Sequence, residues 1–335
     1  MGGPSVAPLL VTGAAGFIGA RFAASCVERG IPFVAVDRAS HFRERPELAG
    51  IVYPKIVDRD ELFVWLREER PRLAGIVHLG ACTDTTQLDE LYLERTNVAY
   101  SKTLWRFASE QAVPFVYASS AATYGDGAQG YDDDEAQTPK LRPLNPYGES
   151  KQRFDLHVLA EERRGATPPA WAGFKFFNVY GFGERHKTKM SSVVLQSFDQ
   201  IRENGFVRLF KSHRPGIADG HQSRDFVYVA DVVAVLHFAL THPLRRGIYN
   251  LGTGHARTFL DLARATFAAL GEPERIEFVD TPPGLRERYQ YFTEARMEKL
   301  RAAGYAEPFT SLEQGVRDYV ERLQKDAPPP RRPAA

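Results

Sequence analysis

The stretch Val6 to Gly19, VAPLLVTGAAGFIG, restricts the fold more than any other part of the chain. A short apolar run, the length of a buried strand, passes through glycines at 13, 16 and 19 into Phe17–Glu28, whose apolar spacing is helical. Gly13 permits a tight turn, Gly16 lets backbone approach a pyrophosphate at a helix N-terminus, and Gly19 lets the helix pack close to the strand. Spaced three apart twice rather than as GxGxxG, these glycines taken alone describe an ordinary strand-to-helix turn equally well. Asp37 singles them out, because it ends the next apolar run, FVAVD, eighteen residues beyond Gly19, where a carboxylate can hold an adenosine ribose. The combination predicts a dinucleotide site containing Gly13, Gly16, Phe17, Ile18, Gly19 and Asp37.

Alternation continues down the chain. IVYPKIV from Ile51 and GIVHLG from Gly75 read as strands separated by the amphipathic DELFVWLREER, and Leu88 to Gln111 reads as one long helix before the apolar run Val113 to Ala118. Strands alternating with helices at this spacing imply right-handed crossovers, so the expected fold class is α/β, a doubly wound parallel Rossmann sheet with ligands at the carboxyl ends of its strands. The boundaries expected are a dinucleotide-binding domain over 1–178 with parts of 220–255, a smaller C-terminal substrate-binding lobe mainly over 179–325, and a disordered tail over 326–335. With 335 residues, 43% of them hydrophobic, the chain can bury a sizeable core, and a net charge of +1 argues against a nucleic-acid partner. Cys26 and Cys82 stand in no metal-ligand spacing and read as packing thiols. No apolar run reaches the length of a membrane span and the N-terminus reads as neither basic leader nor cleavage site, so a cytoplasmic protein without a membrane partner is expected.

Between Val113 and Lys151 the chain assembles a hydroxyl, a phenol and an ammonium. Tyr147 and Lys151 lie four apart at the start of a helix-like segment and share a face. A neighbouring ammonium favours a phenolate, which is what a base removing the proton of an alcohol requires, and Ser120 at the end of the preceding strand can orient that alcohol. Any helix can carry YxxxK as a surface pair, so the motif depends on its company. Leu79, Gly80, Ala81 and Cys82 follow the fourth strand and include residues small enough for a cofactor to lie against, and Asn97 can partner a backbone group nearby. Asp37 favours NAD, whereas Arg38, Arg43, Arg45 and Arg59 supply cations for the 2'-phosphate of NADP; a solvated basic loop is the plainer reading of the arginines.

GAAGFIG, Asp37, HLGACTDTT, YASSAATYG, NPYGESK, FFNVYG and RDFVYVADV, in this order from residue 11 to about 231, resemble the extended short-chain dehydrogenase/reductases that act on nucleotide sugars. The resemblance implies a retained nicotinamide cofactor (NADP, with NAD possible), Tyr147 as base, Lys151 as its electrostatic partner and ribose contact, and Ser120 beside them. Family members that eliminate water carry Asp-Glu directly after the serine or threonine, where this chain has Ala121 and Ala122, so an epimerase or simple dehydrogenase is left. GACTDTT, FNVYGFGERHKTKMSSV, IYNLGTGHARTF, RYQYFTEA and LRAAGYAEPF resemble more closely the branch that inverts C6 of an ADP-linked heptose, a precursor of the lipopolysaccharide core.

That branch implies a second proton carrier at Lys187, which also approaches the cofactor, as does Val179. It implies substrate contacts at Ser120, Asn178, Lys189, Gln196, Phe210, Lys211, Ser212, Arg224 and Tyr289, with Arg224 clamping the pyrophosphate. It also implies a homo-oligomer, a pentamer. Taken without the resemblance, Lys187 is a loop lysine of the solvated or phosphate-facing kind, and Arg224 an ion-pair arginine. Lys189 and Gln196 depart from the residues expected there, and the loop HRPGIADGHQS is longer. Asp132 to Glu135 reads as a solvated acidic loop. Two other readings stay open: another nucleotide-sugar 4-epimerase or dehydrogenase, and a nicotinamide-sensing protein without chemistry, which would not need Ser120, Tyr147 and Lys151 together.

Overall fold

The computed structural model describes residues 6–242, 244–286 and 289–326. Twelve strands run in chain order: β1 Leu9–Thr12, β2 Phe33–Asp37, β3 Ile56–Asp58, β4 Gly75–His78, β5 Phe115–Ser120, β6 Trp171–Phe176, β7 Asn178–Tyr180, β8 Val207–Phe210, β9 Ser223–Tyr228, β10 Gly247–Leu251, β11 Ala256–Thr258 and β12 Ile276–Val279. Seven of them form one sheet in the order β10-β6-β5-β4-β1-β2-β3, with every pairing parallel. Its strands are apolar on both faces, as a sheet covered by helices on both sides requires, and β1, β4 and β10 are buried throughout. The order reverses between β1 and β4, which opens a crevice at their carboxyl ends. The remaining strands form two small sheets, β11-β9-β7 and β12-β8, in the C-terminal half.

Local chemistry sets the helix that carries the tyrosine and lysine. In the helix Pro146–Arg164, Pro146 occupies the first turn, the Asn145 side chain accepts from Gly148 N, and Gly165 ends the helix in the left-handed conformation at φ 73°. Gly148 lets this helix lie against the chain after β5, since a Cβ there would stand 2.9 Å from the Ala122 carbonyl oxygen.

Two sequence expectations change. Pairing in the third strand is confined to Ile56–Asp58 instead of beginning at Ile51, because Pro54 has no N–H for a ladder and Tyr53 turns inward to pack edge-on against Phe42. The long helix begins at Glu90 behind an Asp89 cap and contains a π-helical turn, Glu94–Ala99, before Tyr100–Glu110. A hydrophobic period does not register one inserted residue, and such turns recur at functional sites. The expected tail lies almost wholly outside the described residues. No helix among them is long and apolar enough to cross a membrane.

Candidate active site

The glycine turn is built for close approach. Gly13 has φ +72°, and a Cβ on it would meet Gly80 N at 2.7 Å; a Cβ on Gly19 would meet Gly13 O at 2.0 Å. No side chain caps the helix Phe17–Glu28, so the N–H groups of its first turn face the crevice without a side-chain acceptor, the arrangement that receives a phosphate. Asp37 lies at the end of β2, its Oδ2 accepting from Ala15 N at 3.1 Å and its Oδ1 from Arg38 N at 2.8 Å, with His41 Nδ1 at 2.9 Å. These features fit a dinucleotide.

Of the four arginines weighed for a 2'-phosphate, Arg45 is committed to the Ala15 carbonyl at 2.6 Å and Arg43 is exposed. Arg38 and Arg59 flank Asp58 at the ends of β2 and β3, and both hold its carboxyl down, after the backbone hydrogen bonds from Ala39 and Asp60. On the other side of the crevice, Leu79 N donates to Thr12 O and Gly80 N to Thr12 Oγ1. Asn97 is buried in the π-helical turn; its Oδ1 accepts from Cys82 N at 2.8 Å, and its Nδ2 donates to Cys82 O and Ser150 Oγ. Its amide therefore fixes the Gly80–Cys82 wall.

The Tyr147 phenol is buried and hydrogen-bonded with the Ser120 side chain. Burial raises it above the ordinary phenol value and the Ser120 bond opposes that, so the expectation of a lowered value from Lys151 is corrected. Lys151 spends a donor on Ala118 O at 3.0 Å, and burial lowers its ammonium to about 8, with the Asp155 carboxylate acting against the drop. An ammonium that is itself strongly desolvated and turned to a carbonyl does not offset the burial of the phenol. Cys82, half-buried, adds its field to both groups.

Lys187 lies in the turn Arg185–Met190. Its Nζ sits 5.4 Å from the centroid of the Phe17 ring, which opens the dinucleotide helix, and 3.9 Å from Glu184 Oε2. Burial lowers its ammonium, and Glu184 opposes this. Asn178 is exposed at the start of β7 and Val179 half-buried beside it. The Gln196 amide donates to Ser191 O at 2.9 Å and so braces the Lys187 turn, while Lys189 is exposed.

Arg224 is buried in β9 with its guanidinium between two rings, 5.5 Å from the Phe259 centroid and 5.4 Å from that of Tyr289. Its guanidinium donates to Ser223 O at 2.9 Å, and among the described residues no carboxylate lies within ion-pair distance of it. Burial lowers it, opposed by the Tyr289 and Tyr131 phenols. Phe210 meets Tyr289 edge-on, Lys211 reaches Asp280 at 3.7 Å, and Ser212 N donates to Asp219, which ties down the long loop. Phe210, Lys211, Ser212, Arg224 and Tyr289 thus belong to one wall.

Sequence reasoning missed several residues. Asp225, next to Arg224, accepts from Thr253, Gly254 and Ala295 backbone N–H groups and organises the neighbouring loops. The acidic run is solvated only at Asp132 and Asp134: Asp133 is buried and accepts from Asn250 N, and Glu135 accepts from Ile248 N. Both take donors of β10, the edge strand of the large sheet, and so block further pairing there. Beneath the tyrosine, Lys175 and Asp155 form a buried pair at 2.7 Å, joined by Thr123, Ser119 and Tyr117. Asp155 lies four residues after Lys151, and that spacing was the available signal.

Known proteins share this fold and much of this sequence. A profile of the NAD dependent epimerase/dehydratase family matches residues 9–252. The chain is 43% identical over 324 residues to an ADP-L-glycero-D-manno-heptose-6-epimerase of Fusobacterium nucleatum, covering 93% of this chain and 97% of that one. It superimposes on the crystal structure of the Helicobacter pylori ADP-L-glycero-D-manno-heptose-6-epimerase with a TM-score of 0.80 at 27% identity, covering 95% and 96% of the two chains. For the Thermus thermophilus UDP-glucose 4-epimerase in complex with NAD the TM-score is 0.76 at 25% identity, with 96% and 100% covered.

Proposed function

The chain belongs to the NAD dependent epimerase/dehydratase family, and from that premise we propose that it is an isomerase that inverts C6 of ADP-D-glycero-β-D-manno-heptose to give the L-glycero epimer. The observation that carries this reading is the placement of Lys187, whose ammonium is turned in against Phe17 at the mouth of the dinucleotide helix instead of out into water. A carbinol inverted through a ketone needs a proton carrier on each of its two faces. Tyr147 with Ser120 serves one and Lys187 the other, and Ala121 and Ala122 supply no acid for eliminating water.

A bound nicotinamide supplies a hydride acceptor that is also the donor, so the carbinol is oxidised and re-reduced without net change. Gly13, Gly16, Phe17, Ile18 and Gly19 would hold its pyrophosphate, Asp37 its ribose, and Lys151 and Val179 its reactive end. Tyr147 removes the C6 hydroxyl proton as a transient 6-keto sugar forms; the exocyclic arm turns over, and Lys187 returns a proton to the oxygen in its new position. Arg224, between Phe259 and Tyr289, holds the substrate's pyrophosphate, for which a desolvated guanidinium with no carboxylate near it among the described residues is suited. With NADP bound, Arg38 and Arg59, at the ends of β2 and β3 beside Asp58, would meet its 2'-phosphate. The product would feed lipopolysaccharide core synthesis, and the functional particle is a homo-oligomer.

Feeding the D-glycero nucleotide sugar to the purified protein and following the C6 configuration by NMR tests the assignment. Inversion at C6 is expected, while inversion at C4 or stoichiometric release of reduced cofactor contradicts it. Tyr147→Phe is expected to lower turnover by about 10²–10⁴ with cofactor retained; near-normal turnover of that variant removes Tyr147 as the base.

A further inference from the structure

We propose that Glu184 is the positioning residue that presents Lys187 to the substrate, an inference that rests on Lys187 being the second proton carrier. Glu184 has no exposed side-chain surface. Its Oε1 accepts from Ser192 Oγ at 2.5 Å and its Oε2 from Ser192 N at 2.8 Å. Fixed from behind in this way, the carboxylate faces Lys187 across 3.9 Å. The backbone closes the same turn, Lys187 N donating to Glu184 O at 2.9 Å, and Thr188 immediately afterwards takes φ 47° and ψ −116°, a conformation that costs a β-branched residue strain and persists only when its surroundings enforce it.

The enforcement comes from both sides. His186 is held to Glu47, its N donating at 3.0 Å and its Nδ1 lying at 2.6 Å from the same oxygen, while Gln196 holds Ser191. The lysine between these anchors has the Phe17 ring on one side and Glu184 on the other. Of the other ionisable groups nearby, His186 is held by Glu47, lies in the field of Arg45 and also feels the Lys187 charge, while Arg185 pairs with Asp199. Among the described residues Glu184 is therefore the one carboxylate within ion-pair distance of the Lys187 ammonium. Burial raises the Glu184 carboxyl and lowers the Lys187 ammonium, and each charge opposes the effect of burial on the other. Without Glu184 the desolvated ammonium would lose its proton more readily and could no longer donate it.

A merely structural Glu184 would brace Ser192 and leave the titration of Lys187 untouched, and the test separates the two roles. The pH dependence of kcat is measured on the full-length enzyme with the ADP-heptose for wild type, Glu184→Gln, Glu184→Asp and Lys187→Met, alongside thermal melts. Glu184→Gln is expected to move the alkaline limb of kcat down by about one pH unit or more, with kcat on that limb lowered about tenfold and KM within about twofold. Glu184→Asp, which keeps the charge but withdraws it by one methylene, is expected to give a smaller shift. A limb that superimposes on wild type in Glu184→Gln overturns the proposal whatever happens to the melting temperature. If Glu184→Gln does not fold, an unshifted limb in Glu184→Asp overturns it equally. Near-normal turnover of Lys187→Met would instead remove Lys187 as a proton carrier, an outcome distinct from an inactive Lys187→Met with an unshifted Glu184→Gln.

Discussion

Lys175, near the carboxyl end of β6, and Arg224, near the amino end of β9, are both buried cations, 2% and 7% exposed, and their surroundings are opposite. Lys175 has a carboxylate at 2.7 Å, a hydroxyl at 2.7 Å and the Tyr124 ring beneath it, so its charge is fully met by protein. Arg224 has two aromatic faces and one carbonyl, with no carboxylate among the described residues. A desolvated charge costs several kcal/mol unless compensated. The fold supplies compensation for Lys175 itself, and for Arg224 an anionic ligand is proposed to supply it. Burial of a charge thus marks either a strut or a binding group, and the partner decides which.

The largest expected effect follows from removing half of the satisfied pair. Lys175→Met leaves Asp155 buried with its cation gone and is expected to cost about 3–5 kcal/mol, roughly 4–7 °C in melting temperature for a chain of this size. Combining it with Asp155→Leu should recover part of that loss, because the pair is then replaced by apolar groups while the Tyr117 and Ser119 hydroxyls lose their acceptor. If Lys175→Met melts with wild type, the first half of the comparison fails.

Arg224→Met should do the reverse. Its melting temperature is expected to equal or exceed that of wild type, while KM for the nucleotide sugar rises by about 10²-fold with a smaller change in kcat, as losing charge-assisted hydrogen bonds to a pyrophosphate requires. Strong destabilisation of Arg224→Met with unchanged KM would make it another strut.

Asp133 sharpens the comparison from the acidic side. Burial raises its carboxyl to about 6, opposed by the hydrogen bond from Asn250 N and by Lys299. The folded state therefore binds this proton more tightly than the unfolded chain. The associated stabilisation is complete below the unfolded value near 3.8 and is lost as pH rises through 6. Between pH 7 and pH 5 the wild type should gain stability relative to Asp133→Asn, by at most about 1.4 kcal/mol per pH unit in denaturant titrations. Parallel curves for the two proteins would show that Asp133 is not held in the protonated form.

The same contrast explains what was legible in the sequence. The glycine turn, Asp37 and the pair Tyr147 and Lys151 are local, fixed by spacings of a few residues within one turn or one helix, and the large sheet follows from strands that alternate with helices. Arg224 was legible only through the RDF motif around it, because nothing in a lone arginine before a strand says that its carboxylate is missing. The Lys175–Asp155 pair joins positions twenty apart on a strand and a helix, each of which looks like an ordinary surface charge. Asp133 was misread because an acidic run is usually solvated, and its burial depends on an edge strand more than a hundred residues later. The π-helical turn that places Asn97 leaves no trace in an apolar period.

The account depends most on the sugar being turned over between two proton carriers while the hydrogen removed from C6 is kept within the site. Running the epimerisation to equilibrium in D2O and examining C6 by NMR and mass spectrometry tests this directly. The account predicts inverted product that keeps protium at C6. Deuterium at C6 in the inverted product would mean that the carbon exchanges its hydrogen with solvent, and the roles given to Tyr147 and Lys187 would be wrong.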